Sequence, residues 1–130
     1  MLRHVRDVAK PDMFFWTGDN SPHNVWENSE EEVSNSLLAV TKLIKEEFKD
    51  APIKVYPCSG NHDFWPVNAE NFAEPYENAH LKKYSKAWKE WIGDEAYETM
   101  RRWGYFSMDF RKADGGIVQR GSRVIVLNTQ

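Results

Sequence analysis

Two short apolar runs, residues 12–16 (DMFFW) and 53–56 (IKVY), stand on either side of one long amphipathic helix pattern, residues 29–49. That order constrains the fold more than anything else in the chain. Two strands joined through such a helix are most simply parallel neighbours linked by a crossover. Parallel neighbours place their C-terminal ends side by side, and in open α/β sheets ligands bind at that edge. The loops leaving it read Thr17-Gly18-Asp19 and Pro57-Cys58-Ser59-Gly60-Asn61-His62-Asp63. Asp19 and Asn61 are therefore expected near one point.

The connecting helix carries its own start signal. Ser29-Glu30-Glu31-Glu32 is a capping-box pattern with acids in the first turn. Val33, Leu37, Val40, Leu43, Ile44 and Phe48 then recur on one face, and Pro52 follows. Elsewhere, residues 2–9 fit a helix end stopped by Pro11, and residues 64–78, with Pro66 and Pro75, read as loop. A helix around 81–92 and a shorter one over 94–103, stopped by Gly104, come next. The runs 105–110 (YFSMDF) and 123–129 (RVIVLNT) read as strands, with Asp114-Gly115-Gly116 as a turn between them. The fold class is α/β, a β-sheet core flanked by helices. No repeat, low-complexity tract or linker divides it.

Composition narrows the function classes. At 130 residues the chain has the length of one domain, and 41% hydrophobic residues can build a core. A net charge of −3 with no basic block argues against a surface that tracks nucleic-acid phosphates. No apolar run is long enough to span a bilayer. The opening MLRHVRDVAKPD is charged and lacks the apolar stretch of a secretory signal; taken literally, it implies an intracellular protein. The single cysteine excludes an internal disulfide.

Each polar residue in the two loops has a bland reading beside a chemical one. Asp19 after Gly18 is a common turn residue, but a carboxylate at the end of a buried strand can also bridge two cations. Asn61 beside Gly60 fits a left-handed turn, and equally an oxygen ligand that adds no charge; His62 is a ligand or proton donor near neutral pH. A lone loop histidine such as His23 is usually solvated, yet it shares a loop with Asp19 and follows Pro22. His4 and His80 have no such company and receive no role. Cys58, with no second cysteine or paired base, reads as a small buried thiol. Trp16, Trp26, Phe64 and Trp65 flank the loops as core or as an aromatic wall. Glu30–Glu32 and Lys82-Lys83 read as solvated helix features.

The strings WTGDNSPHNVW, VYPCSGNHDFWPVN, EAYETMRRWGYFSMDF and RVIVLNTQ, in this order and spacing, resemble the calcineurin-like metallophosphoesterases, and within them the acid sphingomyelinase-like phosphodiesterases. The similarity runs over nearly the whole chain. It implies a metal-dependent phosphoric ester hydrolase with two divalent metal ions, zinc in this branch, acting on a phosphodiester small molecule or lipid. By motif match, Asp19 would bridge both metals and Asn61 would bind one. His62 would contact a phosphoryl oxygen or protonate the leaving group, and His23, in Gly-Asp-x-x-x-His, would share that duty. Two metals roughly 3.5–4 Å apart can activate a bridging water and stabilise both attacking and leaving oxygens. Nearby imidazolium groups offset charge on the phosphoryl oxygens.

The chain also departs from that pattern. The family begins with Asp-x-His on an earlier strand, absent here before residue 12, and ends with a lone His and Gly-His-x-His, whereas no histidine follows His80. The expectation is a partial catalytic domain over residues 1–130, lacking N- and C-terminal motifs and inactive or weak alone. One carboxylate and one amide should hold zinc poorly. The resemblance implies a secreted or lysosomal address for a full-length parent, which this N-terminus does not support. Two other functions remain open: a catalytically dead binding remnant, and a nucleotide or polyphosphate phosphohydrolase on the same scaffold. Oligomeric state is not indicated.

Overall fold

A computed structural model describes residues 1–51, 53–69, 71, 73–74 and 76–128. Pro52, Pro75 and Thr129 lie outside the described residues. Strand β1 (Met13–Trp16) pairs with β2 (Lys54–Pro57) in parallel, with Met13 opposite Lys54 and Trp16 opposite Pro57. Their connection contains helix α2 (Glu30–Phe48). Ser29 caps it: its hydroxyl accepts from the Glu32 N–H while the Glu32 carboxylate accepts from the Ser29 N–H, the reciprocal box that satisfies two otherwise orphaned donors. The crossover expected from the sequence is present.

The buried stripe of α2 runs through Val33, Leu37, Thr41, Ile44 and Phe48. Leu43 is a correction, since it is 47% exposed. Thr41 takes the inward place instead, because its hydroxyl accepts the indole N–H of Trp88 at 3.0 Å and donates to the Leu37 carbonyl. Helix α3 (Ala79–Trp103) is capped by Asn78, whose side chain accepts from the Leu81 N–H. It contains one non-helical residue, Gly93 (φ 81°, ψ 174°), so the two helices expected over this stretch meet at a kink. It ends at Gly104, in the left-handed conformation.

Strands β3 (Phe106–Asp109) and β4 (Arg123–Val126) form a separate antiparallel pair. The Asp114–Gly116 turn is there, and a second turn at Gly121 precedes β4. At the N-terminus, α1 (Leu2–His4) runs into a wider turn over Val5–Ala9 that Lys10 ends with φ 45°. Arg6 ties this segment to α2 by donating to the Glu47 carboxylate and carbonyl, both at 3.1 Å. The core joins α2, α3 and the strands through Trp16, Leu37, Val55, Phe64, Tyr84, Trp88 and Phe106. Trp16 meets Trp88 edge to face at 5.6 Å between centroids. This packing fixes the C-terminal end of β1, where the first of the polar loops begins.

Candidate active site

The two loops leaving β1 and β2 touch, and one buried carboxylate holds them. Asp63 is fully buried. One of its oxygens accepts from the Asp19 N–H at 2.8 Å and the Gly60 N–H at 2.9 Å. The other accepts from the backbone and side-chain amides of Asn20, both at 2.9 Å. A buried carboxylate is stable only when such donors replace its lost hydration. Asn20 is itself fixed from behind, because its side-chain oxygen accepts the Trp16 indole N–H at 3.1 Å.

Glycine is required at both points of closest approach. Gly18 adopts φ 81°, and a Cβ there would lie 2.8 Å from the Cys58 carbonyl and closer still to the Gly60 nitrogen. A Cβ on Gly60 would lie 2.9 Å from the Asp19 nitrogen and overlap the Asp19 carboxylate. Asp19 also has positive φ, 57°, a conformation that Asp tolerates better than most residues. The left-handed pair Gly18-Asp19 turns the N–H groups of Asp19 and Asn20 onto Asp63.

The expected site residues are largely brought together. An Asp19 carboxylate oxygen accepts the His62 N–H at 3.0 Å. The rings of His23 and His62 stack, with centroids 4.3 Å apart and planes 9° from parallel. His62 Nδ1 is buried and has no hydrogen-bond partner among the described residues. Asn61 donates its side-chain N–H to Asn68 at 3.0 Å, which leaves its amide oxygen as the atom to offer a cation. Asp19 and His23 are exposed, while Asn61 and His62 are half-buried. Cys58 is half-buried; burial, then the carboxylates of Asp63 and Asp19, push its thiol above its ordinary range. That environment opposes thiolate formation and a nucleophilic role.

The aromatic flank divides. Trp16 and Phe64 are core, whereas Trp26 is 79% exposed and Trp65 is 42% exposed with its indole N–H on the Asn28 carbonyl. Sequence reasoning missed the roles of Asp63, Asn20 and the two glycines as the clasp between the loops. Gly directly before Asp19 and before Asn61 was the available signal.

The profile of the calcineurin-like phosphoesterases matches residues 1–122. The chain belongs to this family. Relatives of the calcineurin-like phosphoesterase described here include sphingomyelin phosphodiesterase B of Dictyostelium discoideum, 36% identical over 90% of the chain, and sphingomyelin phosphodiesterase of Bos taurus, 33% identical over 90%. The acid sphingomyelinase-like phosphodiesterase 3b of Mus musculus is 36% identical over 92%. The chain spans 17%, 18% and 24% of the lengths of these three relatives, respectively.

Calcineurin-like phosphoesterases use divalent metal ions. Among the described residues, no group of three or more His, Cys, Asp or Glu side chains is placed to hold one. Asp19 and Asn61 offer a carboxylate and an amide oxygen, whereas catalytic zinc sites use about three protein ligands. The donors among the described residues do not by themselves fit a closed metal centre. No helix among the described residues is long and apolar enough to cross a membrane.

Proposed function

We propose that this chain carries part of the active site of a phosphodiesterase resembling the acid sphingomyelinases. The observation that carries the reading is the clasp itself: Asp63 binds both loops and sets Asp19 against the His62 N–H at 3.0 Å. Asp19 and Asn61 serve as oxygen ligands to divalent metal, zinc in the first instance, jointly with ligands these residues do not supply. His62 and His23 face the phosphoryl group, where an imidazolium can offset oxygen charge and hand a proton to the leaving alkoxide. The substrate is a phosphodiester, with a lipid headgroup favoured by the names of the relatives; the family resemblance favours a lysosomal or secreted setting for a full-length parent.

The test is hydrolysis of a bis-aryl phosphate, run on the 130-residue chain and on the longest natural protein containing it. The longer protein should show activity that needs divalent metal and is lost in Asp19→Ala and His62→Ala; wild-type rates in both variants would refute the assignment. The two-donor count supports a second reading, a binding module of the same fold without turnover. Metal-independent behaviour and no hydrolysis in either protein would favour it.

A further inference from the structure

His80, which no part of the proposed chemistry uses, is 2% exposed and sits in the first turn of α3 among groups from its own helix, α2 and the loop after β2. Its Nε2 lies 3.3 Å from the Trp65 nitrogen and accepts that N–H. A nitrogen that accepts carries no proton, so the proton of the neutral ring is on Nδ1. Nδ1 lies 3.2 Å from the Tyr84 hydroxyl and 3.1 Å from the Ser34 hydroxyl of α2. The Tyr84 hydroxyl donates in turn to the Asp63 carbonyl. A closed circuit results: Trp65 N–H to His80, His80 to Tyr84, and Tyr84 back to the carbonyl of Asp63, two residues before Trp65. The rings of Phe64, His80 and Tyr84 pack on one another inside it, Phe64 meeting His80 at 5.7 Å and Tyr84 at 6.0 Å.

We propose that His80 is a positioning residue that pins the 63–65 segment from below and so holds Asn61 and His62 against the Asp19 loop. Asp63 is clasped at both levels, its carboxylate by the two loops and its carbonyl by the His80–Tyr84 pair. A side chain that both accepts and donates at this spacing is needed at position 80. An apolar residue there would leave the Trp65 N–H without its acceptor and Tyr84 without its donor. The site role of the loop rests on the phosphodiesterase reading, but the pinning itself does not.

The experiment is amide hydrogen exchange by NMR on the 130-residue chain, comparing wild type, His80→Leu and His80→Gln. In His80→Leu the amides of His62, Asp63 and Trp65 should exchange at least about tenfold faster, while those of Leu37 and Val55 keep their rates. His80→Gln, which can accept and donate, should recover part of the protection. Equal acceleration at all five amides would mean that His80 contributes only to global stability, and unchanged rates at His62 and Trp65 would also overturn the proposal. Should His80→Leu fail to fold, the wild-type imidazole decides through its nitrogen shifts. A neutral ring protonated at Nδ1 supports the circuit, and one protonated at Nε2 refutes it. These readouts are independent of catalysis, so failed hydrolysis with protected amides would refute only the phosphodiesterase reading.

Discussion

The imidazoles of His23 and His62 lie face to face, 4.3 Å between centroids, although they belong to different loops on either side of α2. His62 is held by its N–H bond to Asp19, so the stack makes the position of His23 depend on the neighbouring loop. A double-mutant cycle with His23→Ala and His62→Ala, read by urea denaturation, should give a coupling of about 0.5–1 kcal/mol. Strict additivity would mean that the rings touch without holding each other.

Asp63→Asn should be far more damaging than its size suggests. Each carboxylate oxygen accepts two N–H groups, and the amide would turn a donor toward one of those pairs. The loss should be on the order of 3 kcal/mol, with Asp63→Ala at least as severe, since buried hydrogen bonds to charge are costly to break. Denaturation midpoints at neutral pH measure this directly.

Gly18 and Gly93 share φ 81° but not surroundings. Among the described residues no non-local atom lies within 4 Å of a Cβ on Gly93, so Gly93→Ala should cost only backbone strain, about 1–3 kcal/mol. Gly18→Ala adds a collision with the Gly60 and Cys58 backbone and should lower the melting temperature considerably more. Similar melting temperatures for the two variants would contradict the close approach of the loops.

Stability should fall in mild acid through His80. Burial, first of all, lowers its pKa, with the charge of Lys83 acting in the same direction and Glu30 and Asp63 opposing. Tyr84 and Ser34 face the same ring as neutral groups. The unfolded chain, with a histidine pKa near 6.5, then binds more protons than the folded one. The contribution is complete above about pH 6.5 and is lost as pH falls through the lowered folded value. Denaturation midpoints of wild type should therefore drop more steeply between about pH 7 and 5 than those of His80→Gln.

What could be read in advance was whatever depends on local period or on chain order. The capping box at Ser29 and the parallel pairing of β1 with β2 needed only neighbours in sequence and a crossover. Leu43 was misplaced because helical spacing alone cannot know that Trp88, far along the chain, needs Thr41 as an acceptor. His80 looked idle for the same reason, as its partners come from α2, α3 and the loop after β2. Asp63 was visible in the motif, but its purpose depends on donors from another loop that only the folded sheet edge assembles. Asp19, Asn61 and His62 were legible as candidates because they lie in the two loops leaving the paired strand ends, whereas His23 owed its candidacy mainly to the family resemblance.

The contact between Gly18 and Gly60 also limits how this sequence can drift. In most packed pairs a larger side chain on one partner is relieved by a smaller one opposite. Here both partners are already the smallest residue, and the atoms nearest each are backbone or a carboxylate, that of Asp63 beside Gly18 and that of Asp19 beside Gly60. No compensating substitution exists at either place, so a mutational path that keeps these loops in contact cannot pass through a change at one glycine followed by repair at the other.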